Sequence, residues 1–171
     1  MPRLVPNRPL PPYTYVPGLS PHPASDPAGH SHGAPPPAAA LAADKWQECE
    51  EYLFGFDLFN AGYYWEAHEA WEGLWHAHGR SGPVADLLKG LIKLAAAGVK
   101  VREGQRHGVT VHAGRAAELF AGLVGSGETR LLGLDLASLE RAARTIAADP
   151  PRRPAGHDPQ VVFELVLMPS D

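Results

Sequence analysis

The fold is decided by residues 59–76, which read FNAGYYWEAHEAWEGLWH. At about 100° per residue, a helix through this stretch gathers its apolar side chains on one face. That face consists of Tyr64, Ala67, Trp71, Leu74 and Trp75. The turn Asn60-Ala61-Gly62 precedes it and ends in a glycine suited to the left-handed conformation. The stretch therefore predicts the second of two antiparallel helices joined by a short connection.

Helical periodicity continues on both sides of this stretch. A first helix is predicted from Asp44 onward, because Trp46, Cys49, Leu53 and Phe56 recur at three- and four-residue spacing. A third helix begins at Pro83, and two more cover about 107–124 and 135–148. We expect an all-α fold, an antiparallel bundle of about five helices over residues 44–149.

Prolines are confined to the two ends of the chain. Twelve of the 18 prolines precede residue 44, and five lie from Pro150 onward. Residues 1–43 are therefore predicted to form a Pro-rich extended N-terminal arm, with a linker over 34–43. Tyr13, Tyr15 and Val16 give this arm apolar surface to bury against the helices. Residues 150–171 form an extended tail, in which 161–167 is β-prone.

Composition and charge exclude several classes of protein. The net charge of −4 argues against a nucleic-acid partner. The single Cys49 excludes an internal disulfide. The most apolar stretch, residues 87–99, is too short to span a membrane, and we expect a cytoplasmic protein. Residues 44–75 are acidic and 76–115 are basic, a division that favours attraction across the bundle or a homo-oligomer interface, with an anion-binding face as the alternative.

The residues best suited to metal binding or acid/base catalysis are His68 and Glu72. Their i, i+4 spacing beside Trp65, Trp71 and Trp75 predicts that both side chains lie together and mostly buried. They could be two ligands of a divalent metal, an acid/base pair, or a structural hydrogen-bonded pair. Further candidate metal ligands are Asp57, His107, His112 or one of the arm histidines His22, His30 and His32. The accompanying polar cluster consists of Glu69, His76, Asn60 and Asp57.

The segment from Phe59 to Trp75, continued by Gly90-Leu91-Ile92, resembles domain of unknown function family 309. The residues that carry the resemblance are Phe59, Asn60, Gly62, Trp65, Glu66, His68, Glu69, Trp71, Glu72 and Trp75. Lys89 stands where this pattern leads us to expect glutamine. The resemblance implies a small all-helical protein and no established activity.

Two functional hypotheses remain. The first is a binding or scaffold module, with an unidentified partner protein or small ligand, in which the His68–Glu72 cluster is structural. The second is a small metalloprotein, for example a hydrolytic one, with His68 and Glu72 in contact with the metal. The residues do not indicate a particular reaction or cofactor.

Overall fold

The computed structural model describes residues 2–34 and 41–171, and this part of the chain is mainly helical. A short 3₁₀ helix, Ala43–Glu48, leads into α1 (Glu50–Asn60) and α2 (Tyr64–Ala77). Then follow α3 (Pro83–Glu103) and α4 (Arg106–Gly125), the strands β1 (Arg130–Leu131) and β2 (Leu134–Asp135), and α5 (Leu136–Ala148). The helical content confirms that part of the sequence prediction. Residues 35–40 of the expected linker lie outside the described residues.

The predicted first helix is divided in two. The segment from Asp44 is 3₁₀, with Lys45 at non-helical angles (φ −134°, ψ 33°), and extended Cys49 separates it from α1. The prediction of one continuous helix from Asp44 was therefore wrong. Trp46 packs edge-on to Tyr52, with ring centroids 6.2 Å apart, instead of continuing the apolar stripe of α1.

A two-stranded antiparallel sheet between α4 and α5 was not predicted. Arg130 pairs with Asp135 and Leu131 with Leu134. Both turn residues are left-handed, Leu132 at φ 48° and Gly133 at φ 79°, which is the requirement of a tight hairpin. Leucine rarely takes that conformation, so the turn lacks the usual sequence signal.

The helices pack in chain order around one apolar core. Phe56, Trp71, Leu87, Leu91 and Ala95 are all buried in it, as the periodicity predicted. Close approach of α1 and α2 depends on Gly55. A Cβ built there would lie 2.2 Å from Nε1 of Trp71, so a larger residue would push the two helices apart. This packing fixes the α1–α2 hairpin on which the candidate site is built.

We call residues 2–34 the N-terminal segment; no helix or strand is assigned within it. It lies against the outer surface of the α1–α2 hairpin. The guanidinium of Arg8 sits 4.0 Å from the ring centroid of Phe54, and Tyr15 meets Trp65 edge-on at 5.3 Å. Val16 is buried. These contacts cover the side of α1 that carries Phe54 and the side of α2 that carries Trp65.

The β-prone tail contains no strand anywhere in residues 150–171. Its apolar side chains Phe163 and Leu167 are nevertheless buried. Side chains of the hairpin take up its backbone groups. Asn60 donates to the Leu167 carbonyl at 2.7 Å and accepts from its amide at 2.9 Å, while the Tyr64 hydroxyl accepts from the Val162 amide. The apolar residues of the tail suggested a strand because they are suited to burial. They are buried, but no strand is formed by the tail.

Candidate functional site

His68, Glu69 and Glu72 form a polar group on one side of α2. Nδ1 of His68 lies 3.3 Å from Oε1 of Glu69 and 3.4 Å from Oε2 of Glu72. One turn later, Nε2 of His76 lies 3.6 Å from Oε1 of Glu72. The Glu72 carboxylate thus stands between two imidazoles, and we call His68, Glu69, Glu72 and His76 the α2 polar ladder.

The two central side chains of the ladder are partly exposed. The side chain of His68 is 26% exposed and that of Glu72 is 35% exposed. The prediction that the two side chains lie together and mostly buried was confirmed, since neither is fully in solvent. The exposure that remains follows from the direction of the tryptophans. Trp71 points into the core, and Trp65 turns toward Tyr15 and His22 of the N-terminal segment.

Within residues 2–34 and 41–171, one group of at least three side chains could share a metal ion. It consists of His68, Glu69 and Glu72, whose ligand atoms lie within 4.8 Å of one another. Two of the histidines named as further ligands lie elsewhere. Nε2 of His30 is 3.0 Å from Glu66, and Nδ1 of His22 accepts from the amides of Ala24 and Ser25. All three candidate ligands therefore come from a single helix.

His112 faces a cationic part of the bundle. Burial lowers the pKa of its imidazole, and Lys93, Lys100 and His68 lower it further. Nearby positive charge opposes a bound cation, so His112 is a poor fourth metal ligand. Lys89, the residue that departs from the family pattern, places its ammonium 5.2 Å from the ring centroid of Trp75. This side of the bundle is therefore basic, in contrast to the acidic side of α2.

Glu66 is the important residue that the sequence analysis did not single out as functional. It is 6% exposed, and its carboxylate accepts three hydrogen bonds from the N-terminal segment. The donors are the Thr14 hydroxyl at 2.8 Å, the Tyr15 amide at 2.8 Å and the His30 imidazole at 3.0 Å. The only sequence signal was its place in the family pattern, beside the apolar face of α2. Its geometry makes it the attachment point of residues 14–30.

Asp57 and Asn60, two members of the predicted polar cluster, also bind the chain itself. The buried Asp57 carboxylate accepts from the amides of Leu4 at 2.7 Å and Val5 at 2.8 Å, with Nε of Arg3 3.6 Å away. Asn60 holds the tail through Leu167. The two residues are thus separate from the ladder, and neither joins His68.

Burial also acts on the tyrosine that begins α2. It raises the pKa of Tyr64 to about 12, although hydrogen bonds from the tail backbone act in the opposite direction. Tyr64 therefore stays protonated at neutral pH, and it is not an acid/base group for chemistry in that range. Its hydroxyl accepts the hydrogen bond from the Val162 amide of the tail.

A cleft of about 670 Å³ lies between the N-terminal segment and the hairpin. Its apolar surface comes from Pro11, Phe54, Leu58, Trp65 and Ala70. The ladder residues Glu69, Glu72 and His76 also line it. We call this space the hairpin cleft. It brings exposed carboxylates and aromatic surface together within one concavity.

Residues 52–111 match the family model described as Domain of unknown function (DUF309). The match confirms the resemblance read from the sequence. It runs from α1 into α4 and includes Glu66 and the whole ladder. No curated protein matches the chain. In residues 2–34 and 41–171, no helix is long and apolar enough to cross a membrane.

Proposed function

We propose that the protein is a binding or scaffold module in which the α2 polar ladder is structural. One observation carries this proposal. Three polar side chains of the hairpin, those of Asp57, Asn60 and Glu66, all bind the chain's own terminal segments. Polar groups used in this way hold a surface in shape and are not free to attack or activate a substrate.

The ladder fits the same interpretation. Its contacts of 3.3–3.6 Å run along one helix at i, i+1 and i, i+4 spacing. Such partly exposed pairs support a helix by a few tenths of a kcal/mol each. Replacing His68 by Ala should therefore lower the free energy of unfolding by only about 0.5–1 kcal/mol. His157, exposed on the tail and not among the candidate ligands, provides the control as His157→Ala.

The alternative function is a small metalloprotein. It is favoured by the three ligand atoms of His68, Glu69 and Glu72 within 4.8 Å. Imidazole nitrogen with carboxylate oxygen is a donor set typical of zinc and similar divalent ions. A hydrolytic metal site of this kind would have three protein ligands and leave one position open for water.

Elemental analysis of protein purified without chelators separates the two functions. The scaffold proposal expects substoichiometric metal, and no change in melting temperature when EDTA or zinc is added. Close to one metal ion per chain, lost in His68→Ala and retained in His157→Ala, would replace it with the metal function. Both variants should first be shown to fold by circular dichroism.

A further inference from the structure

We propose that the hairpin cleft binds a small organic cation that carries an apolar body, such as an arylalkyl amine. This inference rests on the proposed binding function and names the chemical class of its ligand. The first observation is the size of the cleft. At about 670 Å³ the cleft falls within the range of small-molecule sites and is far larger than a metal ion needs.

The charges that line the cleft favour a cation. Glu51, Glu66, Glu69 and Glu72 contribute four carboxylates, against one arginine, Arg8. Two of these acids already have partners within the chain. Arg8 is held by Glu51 at 2.5 Å, and Glu66 is satisfied by its three donors.

The carboxylates of Glu69 and Glu72 remain available to a ligand. Their side chains are 49% and 35% exposed, and their neighbours are the imidazoles of His68 and His76. A histidine contributes positive charge only when it is protonated. The open part of the cleft therefore presents two carboxylates that an ammonium group can reach.

The cleft wall already holds one cation from the chain itself. The Arg8 guanidinium lies 4.0 Å from the centroid of Phe54 and pairs with Glu51. Aromatic surface and a carboxylate thus cooperate in holding a positive group, as in cation–π recognition. Trp65 and Glu69, which also line the cleft, offer the same two kinds of group. An amine with an aromatic body would place its ring on the apolar surface and its charge at the carboxylates.

The test uses phenethylamine with two matched probes of the same body, neutral 2-phenylethanol and anionic 3-phenylpropionate. Binding is followed by NMR titration of the tryptophan indole N–H signals in the full chain, with Trp65 assigned through Trp65→Phe. We expect saturable shifts at Trp65 with the amine, and affinity about tenfold higher than for the alcohol, since one charge-assisted hydrogen bond separates the two probes. The acid should not bind.

Two pairs of variants locate the site. Gly73 lines the cleft, and a Cβ built there meets nothing within 4 Å, so Gly73→Leu should fill the space without disturbing the fold. The control is Gly122→Leu on α4, where a Cβ is equally unobstructed. Glu69→Gln should weaken the amine several-fold, and Glu48→Gln, on the exposed 3₁₀ helix, should not.

Each outcome decides the inference. Loss of amine binding in Gly73→Leu and weakening in Glu69→Gln, with both controls unchanged, would support it. Equal or tighter binding of the alcohol or the acid would overturn the cation class and leave the binding module in place. Amine binding that survives Gly73→Leu, or no saturable binding at all, would overturn the site. The metal content decides the proposed function separately.

Discussion

Glu66→Gln tests the most important contact of the structure. The side chain is buried, and its carboxylate accepts from Thr14, Tyr15 and His30. Glutamine has nearly the same shape. Its carbonyl oxygen can keep the bonds from Tyr15 and His30, while its amide can donate to the Thr14 hydroxyl oxygen. The substitution therefore removes the charge and leaves the geometry in place.

The magnitude follows from the three bonds. A hydrogen bond to a charged group contributes about 1.5–3 kcal/mol, and a neutral one about 0.5–1.5 kcal/mol. Each bond then loses about 1–1.5 kcal/mol, and relief of the desolvation penalty of the buried charge offsets part of the sum, so the free energy of unfolding should fall by about 2–3 kcal/mol. Glu66→Ala leaves the same donors without an acceptor in a buried place and should cost about 3–5 kcal/mol.

Urea unfolding measures the loss, and hydrogen exchange at the Tyr15 amide locates it. Protection of that amide should fall in Glu66→Gln, while amides of the α3 core stay protected. Thr14→Val combined with Glu66→Gln should cost less than the sum of the single changes, because both disturb one bond. Glu69→Gln, half-exposed on the same helix, is the control and should stay within about 0.5 kcal/mol of the original protein. A similarly small loss for Glu66→Gln, with unchanged Tyr15 protection, would refute the reasoning.

Three further substitutions are expected to change stability. Gly73→Ala should raise the free energy of unfolding by about 0.5–1 kcal/mol in urea, because a mid-helix glycine gains a methyl group in open space. Asn60→Ala removes both bonds to Leu167 and should cost about 1–3 kcal/mol, with faster proteolysis of the tail as the second readout. Asp135→Ala removes the acceptor that caps α5 through the Ser138 amide, at a cost of about 1 kcal/mol. The hydrogen bond from Ser138 lowers the pKa of Asp135. A lowered carboxyl pKa stabilises the fold above its unfolded-state value, so the difference between the original protein and Asp135→Ala should shrink as pH falls from about 5 toward 2. An unchanged difference in acid would contradict the cap.

Periodicity predicted the parts of the fold that repeat locally. Tyr64, Ala67, Trp71 and Leu74 are buried on the predicted face of α2, because a 3.6-residue repeat fixes which side chains point inward. Pro83 begins α3 as expected. Such features depend on neighbours within a few residues, and these can be read directly from the sequence.

Contacts between distant segments could not be read in this way. His30 meets Glu66 across 36 residues, and the Asn60–Leu167 pair spans 107. Neither the N-terminal segment nor the tail has a periodic pattern that fixes a register. His30 was therefore predicted as a metal ligand beside His68 because of its imidazole alone. In the structure, the buried carboxylate of Glu66 takes it instead, since a buried acid needs donors more than a half-exposed one does.

The sequence of α2 explains why the hairpin cleft lies next to the point where the N-terminal segment is attached. Glu66 is followed one turn later by Ala70 and two turns later by Gly73, and at helical spacing these three residues share one side of α2. The acid draws the N-terminal segment toward the helix at one end of that side. The two small residues supply almost no side-chain volume along the rest of it, so the segment and the helix cannot close completely. A buried acid followed by small residues at i+4 and i+7 thus produces an attached segment with a space beneath it, and the carboxylates of Glu69 and Glu72 lie beside that space.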